Sequence, residues 1–132
     1  MNILHVIASP SPGGIESYVK DLAIQLAESG QRVHIGFLES ARDAGTSQNF
    51  ERKFLQELEA AGVSFFFVGH ISRWWIWHGI FKIRKYVNAN RIDLYHSHLT
   101  YGIFFGALVP VPRVYTHHSI NMRVNDVVFA IA

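Results

Sequence analysis

Histidines close two apolar segments of this 132-residue chain, where their imidazole rings could act on a ligand. His96 and His98 end the first segment two residues apart, so on an extended strand their side chains project toward the same side. A neutral imidazole there can hydrogen-bond a ligand hydroxyl, orient an acceptor or relay a proton near neutral pH. For His96, which still lies within the strand, a core histidine bonded to backbone explains the sequence equally well.

The second segment ends at Thr116, His117 and His118. We expect it to lie beside the first, so that four histidines would meet at neighbouring strand ends. Such a group raises the alternative of a zinc site. Binding of a phosphate or a sugar accounts for the same residues, and we expect no metal.

A glycine-rich loop, residues 9–16, follows the first apolar run and opens a helix. Without side chains, Gly13 and Gly14 would let backbone N–H groups at the helix N-terminus approach a phosphate or diphosphate. The loop matches neither the G-x-G-x-x-G dinucleotide fingerprint nor a Walker A loop, which argues against NAD binding and ATP hydrolysis. A glycine turn needed only to start the helix is the alternative.

Apolar strands alternate with amphipathic helices along the whole chain. The predicted strands are Ile3–Ala8, Val33–Leu38, Val63–Val68, Ile92–His96, Val111–Thr116 and Asp126–Ile131. The predicted helices begin near Ile15, Phe50, Arg73 and Thr100, and Gly30 and Gly62 close the first two. This order predicts an α/β, Rossmann-like three-layer domain with a mainly parallel sheet. The ligand-binding loops of such a sheet follow the carboxyl ends of its strands.

Composition restricts the protein to one folded domain, residues 1–132. The chain is 49% hydrophobic and 17% charged, with no cysteine, so disulfides and thiolate chemistry are excluded. The apolar amino-terminal run predicts a first strand rather than a signal peptide, and no run of about 18 to 20 apolar residues predicts a membrane-spanning helix. We expect a cytoplasmic protein, with peripheral contact at the inner face of the membrane as an alternative. A net charge of +2 without a dense basic patch argues against nucleic-acid binding.

The predicted helix from Arg73 to Asn90 has more apolar surface than one core-facing stripe can use. Beside the core stripe, Trp74, Trp77 and Phe81 form a second stripe, with the basic residues Arg84 and Lys85 nearby. Tryptophan and basic residues together favour a membrane interface, which would suit a lipid-linked acceptor. The stripe could equally pack against an insertion, another domain or a second copy of the chain.

Three motifs occur together and in one order: Pro12-Gly13-Gly14-Ile15-Glu16, then residues 93–98, then residues 112–118. In combination they resemble the amino-terminal domain of family 4 retaining glycosyltransferases, which have the two-domain GT-B architecture. The resemblance spans residues 1 to about 118. No G-x-S-x-G elbow or glycosidase carboxylate pair is recognisable, so hydrolase functions rank low.

The resemblance implies transfer of a sugar from a nucleotide-sugar donor to a glycan or glycolipid hydroxyl, with retention at the anomeric carbon. It implies no metal and no cofactor besides the donor substrate. Gly13 and Gly14 match the loop that lies against the donor diphosphate and reaction centre, and His98 matches the histidine at the transfer site. His118 in its T-x-H motif, with Thr116 and His96, would line the same cleft.

Two departures from the family pattern bear on function. The donor-binding half, with its basic pair and E-x7-E motif, has no counterpart, and the segment after His118 is short. We therefore expect an incomplete amino-terminal domain, inactive alone, whose bare interdomain surface makes self-association plausible. A non-catalytic acceptor-binding or partner subunit of a split glycosyltransferase is the alternative, and a sugar-nucleotide epimerase of GT-B fold ranks third.

Overall fold

A computed structural model describes residues 1–116 of the chain. The predicted last strand, Asp126–Ile131, and the predicted cleft residue His118 lie outside the described residues. The structural findings below therefore concern the first four predicted helices and the first five predicted strands.

The described strands form one sheet in which every neighbouring pair is parallel. Their bounds are Asn2–Ile7 (β1), Arg32–Phe37 (β2), Ser64–Phe67 (β3), Leu94–Ser97 (β4) and Arg113–Tyr115 (β5). The strand order is β3-β2-β1-β4-β5. In this register His5 of β1 lies opposite His96 of β4. The predicted parallel α/β architecture is thus confirmed.

Helices connect successive strands. Their bounds are Gly14–Glu28 (α1), Ala41–Ala44 (α2), Gln48–Ala60 (α3), Ile76–Ala89 (α4) and Thr100–Phe105 (α5), with a 3-10 helix at His70–Arg73. The short helix α2 lies in a polar stretch for which no element was predicted. Ser40 caps it, because its hydroxyl accepts a hydrogen bond from the backbone N–H of Asp43.

The prediction that α4 starts at Arg73 is wrong. Arg73 ends the 3-10 helix, and the backbone N–H groups of Trp74 and Trp75 both donate to the carbonyl of Ile71. The chain therefore turns before α4 begins at Ile76. The apolar residues predicted to face the core of this helix do so, but the predicted helix was extended by three residues into the turn that precedes it.

The first and third helices end as their glycines predicted. Gly30 and Gly62 adopt φ angles of 96° and 80°, a left-handed conformation that glycine adopts without steric cost. The residue after each glycine donates back into the last helical turn, as in a Schellman motif. Each helix thereby turns directly into the next strand.

Two apolar cores lie on opposite faces of the sheet. On one face α4 and α5 cover a core that contains Leu4, Val6, Ile83, Tyr95 and Phe105. On the other face α1 and α3 cover a core that contains Ile7, Val19, Ile35, Phe54 and Leu58. The second core draws its strand residues from β1, β2 and β3. The domain therefore has three layers, helices on either side of one sheet.

Candidate functional site

The strand order places a switch point between β1 and β4. From β1 the chain proceeds outward through β2 and β3, and then returns to build β4 and β5 on the other side of β1. The loops that leave β1 and β4 consequently diverge, and ligands of open α/β sheets bind in the crevice between such loops. The glycine loop follows β1 and His98 follows β4, so two predicted site segments border this crevice.

The beginning of the glycine loop is fixed by a chain of hydroxyl groups. The Oγ atoms of Ser9 and Ser11 are 2.7 Å apart, and Ser11 Oγ lies 2.6 Å from Thr46 Oγ1. Ser9 and Ser11 are both buried. The first part of the loop is therefore a rigid base that positions the glycines.

Gly13 and Gly14 are exposed at the amino end of α1. Gly13 occupies the N-cap position, and no side chain caps this helix, so its first N–H groups face outward. A Cβ added to Gly14 would meet no atom within 4 Å, whereas one added to Gly13 would overlap Glu16 Oε2. The described structure therefore has room for a side chain at position 14. The predicted close approach of an anion is still a reason for glycine there.

Three imidazole rings form what we call the histidine cluster: His5, His96 and His98. His5 Nδ1 lies 3.0 Å from His98 Nε2. The rings of His96 and His98 are stacked, with centroids 4.1 Å apart. His5 and His98 are buried, and His96 is half-buried. The predicted pair, His96 and His98, is therefore brought together, but with a third member that had not been predicted.

The cluster is electrically neutral at its buried end. Burial, followed by repulsion from His96, lowers the pKa of His5 to about 3. At neutral pH the ring of His5 is therefore neutral and has a single hydrogen, on either Nδ1 or Nε2. Its Nε2 atom is buried without a hydrogen-bond partner in the described part of the chain.

His96 contacts a side chain at the end of the neighbouring strand. Its Nε2 atom lies 2.7 Å from Oγ1 of Thr116, another predicted site residue. This contact links the end of β4 to the residue that follows β5. Two of the three predicted cleft-lining residues are thus adjacent.

Sequence reasoning missed His5 because it stands inside the apolar run of β1. A histidine at the centre of a doubly covered strand was itself a signal, since a buried imidazole needs a polar partner. The partner could not be read from the sequence, because it depends on the parallel register between β1 and β4.

A metal ion would need the three rings to reorient. One ring nitrogen from each histidine lies within 4.8 Å of the others. However, a bound Zn²⁺ requires nitrogens that converge at about 2.0–2.1 Å. In the described structure His5 Nδ1 and His98 Nε2 are within hydrogen-bond distance of each other, so a metal ion would compete with this contact.

A second polar group, the Glu39 cluster, lies after β2 and β3 and consists of Glu39, His70 and Arg73. Arg73 donates to both carboxylate oxygens, at 3.2 and 2.7 Å, and His70 Nδ1 lies 2.5 Å from Glu39 Oε2. These hydrogen bonds, chiefly those from Arg73, lower the pKa of the buried carboxyl although burial alone would raise it. This cluster anchors the turn before α4 to the end of β2.

The second apolar stripe that we predicted for residues 73–90 is exposed; Trp74 lies in the turn before α4, and the other two residues lie on α4. Trp74, Trp77 and Phe81, which we call the aromatic face, have exposed fractions of 84%, 56% and 55%. Trp77 and Phe81 stack on each other, and Arg84 and Lys85 are exposed on the same helix. Trp75 and Ile71, also exposed, extend the apolar surface. Within residues 1–116, no helix has the length and apolar character needed to cross a membrane.

A cavity of about 760 Å³ lies at the opposite edge of the sheet. Its lining includes Asn2, Arg32 and Arg91, which stand at or just before the amino ends of strands. This cavity is therefore separate from the histidine cluster, and ligand sites of open parallel sheets are not expected at that edge.

Comparison with known proteins agrees with the fold and the motifs. The model of the family described as Glycosyltransferase Family 4 matches residues 12–127. No curated protein has a significantly similar sequence. Among solved structures, HepE of Anabaena, determined in complex with UDP and glucose, is similar with a TM-score of 0.59 and 18% identity. The match covers 89% of this chain and 30% of the HepE chain, and at this identity it concerns the fold. The 132-residue chain, a Rossmann-like amino-terminal domain of the GT-B type, belongs to glycosyltransferase family 4.

Proposed function

We propose that this chain is the acceptor-side domain of a retaining glycosyltransferase that moves a hexosyl group from a nucleotide sugar to a glycan or glycolipid hydroxyl. The observation that supports the proposal is that the glycine loop and His98 follow the neighbouring strands β1 and β4 at the switch point. The family membership supports the reaction class.

The glycine loop supplies the place for the donor diphosphate. The N–H groups at the start of α1 favour a negative charge, and the open space beside Gly14 leaves room for it. The Glu16 carboxylate, which lies beside Gly13, would have to move aside when a diphosphate binds. HepE, which has a similar fold, was solved with UDP and glucose. A nucleoside diphosphate is thus the chemistry that we expect to bind this loop.

His98 supplies a polar group at the reaction centre. Its backbone N–H donates to the carbonyl of Val6, which holds it against the end of β1. We infer that its ring contacts the transferred sugar, and that Thr116, His96 and His118 line the acceptor side. We further propose that transfer requires neither metal nor cofactor, so that a chelator leaves the rate unchanged.

Transfer by these 132 residues alone is not expected. A departing diphosphate needs electrostatic stabilisation, and in GT-B enzymes a second domain grips it. The chain spans 30% of the length of HepE. We propose that a second, donor-binding domain completes the site in the cytoplasm.

A donor-consumption assay tests this function. A panel of nucleotide sugars is incubated with an acceptor extract and either the present chain or a protein extended through its native reading frame. We expect nucleotide release by the extended protein only. A folded, extended protein that binds a glycan acceptor but consumes no donor would instead assign the chain to the non-catalytic acceptor-binding class.

The aromatic face gives the proposed enzyme a membrane contact. Exposed tryptophans beside exposed Arg84 and Lys85 match the amphipathic rings and basic groups that anionic lipid surfaces attract. We propose that this face rests on the inner leaflet and delivers a lipid-linked acceptor.

Flotation with vesicles that contain anionic lipid tests the contact. We expect co-flotation of the wild type, loss of it for a Trp74→Ser/Trp77→Ser variant, and retention for Tyr18→Ser, which removes an exposed aromatic ring from α1. Sedimentation as a dimer that this double variant breaks, with no flotation, would assign the face to self-association and overturn the membrane contact.

A further inference from the structure

The role of His5 is not accounted for by the proposed function. This residue lies inside β1, with 2% of its surface exposed, and donor and acceptor are expected on the outer side of the crevice. Placing an imidazole among apolar neighbours has a cost unless its ring makes a specific contact. That contact is with His98.

Both the main chain and the ring of His98 are held by β1. The backbone N–H of His98 donates to Val6 O at 2.9 Å, and its ring atom Nε2 lies 3.0 Å from His5 Nδ1. Two attachments, one residue apart on β1, fix the orientation of the ring. The remaining question is which ring donates the hydrogen between them.

The burial of His5 decides the direction of this hydrogen bond. A neutral imidazole has one N–H group. If the hydrogen were on Nε2 of His5, a buried donor would have no acceptor among residues 1–116, and such orphan donors are rare. With the hydrogen on Nδ1, His5 donates to His98 and leaves only a lone pair unpaired.

We propose that His5 is a positioning residue that donates from Nδ1 to His98 Nε2 and thereby holds His98 in the tautomer with its hydrogen on Nδ1. In that tautomer the one hydrogen-bond donor of the His98 ring is Nδ1, and Nε2, which accepts the hydrogen bond from His5, does not take a proton from the acceptor hydroxyl. The use of this donor in catalysis rests on the proposed function, whereas the tautomer itself does not.

The tautomer can be measured without any substrate. Nitrogen-15 NMR of histidine-labelled protein distinguishes protonated from unprotonated ring nitrogens. We expect hydrogen on Nδ1 of both His5 and His98 in the wild type. A hydrogen on Nε2 of His98 would overturn the proposal, whatever the activity of the enzyme.

Two variants separate positioning from packing. His5→Asn places an amide N–H near the position of Nδ1 and should keep the His98 tautomer, whereas His5→Leu removes the donor and should release it. If His5→Leu fails to fold, the wild-type and His5→Asn spectra still decide. Loss of the Nδ1 tautomer in folded His5→Asn would count against a donor role.

Kinetics of the extended protein then test the consequence for transfer. We expect His5→Leu to lower kcat by about 10-fold to 100-fold, as loss of an orienting partner does elsewhere, with little change in the KM for the donor. His98→Asn, whose amide N–H replaces Nδ1, should retain more activity than His98→Gln, whose amide replaces Nε2. The reverse order would contradict donation through Nδ1. A confirmed tautomer with no enzyme activity in any variant would reject the proposed function and leave the positioning role standing.

Discussion

Two buried polar clusters lie at the carboxyl edge of the same sheet, and they satisfy their polar groups differently. In the Glu39 cluster a carboxylate accepts hydrogen bonds from Arg73 and contacts His70, so its charge is balanced within the chain. In the histidine cluster no carboxylate is present, and Nε2 of His5 lacks a partner among the described residues. The first cluster follows β2 and the second straddles the switch point.

This difference separates structural from functional polar groups. A charge that finds its complement inside the domain stabilises a turn, and here it fixes the segment that leads to α4. The imidazole of His5 at the switch point is neutral, and its donor and acceptor capacity depends on its tautomer. Substitutions in the Glu39 cluster should therefore act on stability, and substitutions in the histidine cluster on transfer.

The largest effect is expected from His98→Ala in the extended protein. If the ring contacts the reacting sugar as we propose, its removal should lower the rate of donor consumption by about 100-fold or more. His78→Ala, which removes an exposed histidine from α4, is the matched control and should leave the rate unchanged. Equal rates for wild type and His98→Ala would place the reaction elsewhere.

Glu39→Gln should instead destabilise the fold. The amide has no charge and only one acceptor oxygen, so its NH2 group would face a donor of Arg73, and the free energy of unfolding should fall by about 1.5–3 kcal/mol, measured by urea denaturation. Glu57→Gln weakens a half-exposed surface ion pair with Lys20 and should change stability much less. Similar midpoints for both variants would contradict the structural role of the Glu39 cluster.

Acid should destabilise the wild type through His5. Its pKa is about 3 in the folded chain against the ordinary value of 6.5 for histidine, so between these pH values the unfolded chain binds more protons. Stability is then complete above about pH 6.5 and falls toward pH 3, by up to about 1.4 kcal/mol per pH unit. His5→Asn should show a shallower loss over that window. Parallel pH profiles would show that His5 is not buried in its neutral form.

The smallest effect on stability is expected from Gly14→Ala. The added Cβ meets open space, and alanine favours helix, so unfolding should change by less than about 0.5 kcal/mol. If the donor diphosphate approaches this backbone, the KM for the donor should nevertheless rise roughly 10-fold, the equivalent of one charge-assisted hydrogen bond. An unchanged KM would favour the alternative of a glycine needed only for the turn.

The sequence allowed accurate prediction where one periodic signal dominated. Continuous apolar runs located β1 and β2 to within one residue, and Gly30 and Gly62 located two helix ends. Helical periodicity failed at Arg73, because a 3-10 turn held by the Glu39 cluster interrupts it. That ion pair joins residues 34 positions apart, so no local pattern predicts it.

The site was predicted only in part for the same physical reason. His96 lies at the end of β4, and His98 and the glycines lie in the segments that follow β4 and β1, so the carboxyl-end rule of parallel sheets is enough to select them. His5 could not be selected in this way, because its place beside His96 depends on the register between β1 and β4. His118 lies outside the described residues. The aromatic face could be recognised because an amphipathic helix buries only one stripe.

The central claim, that transfer occurs between the glycine loop and His98, is tested most directly by locating the nucleotide. The measurement is a crystal structure of the extended protein with the nucleotide released in the donor assay. We predict that its phosphates contact the backbone N–H groups of Gly13 and Gly14, beside the ring of His98. A nucleotide bound elsewhere on this domain, for example in the cavity beside Arg32 and Arg91, would contradict the account.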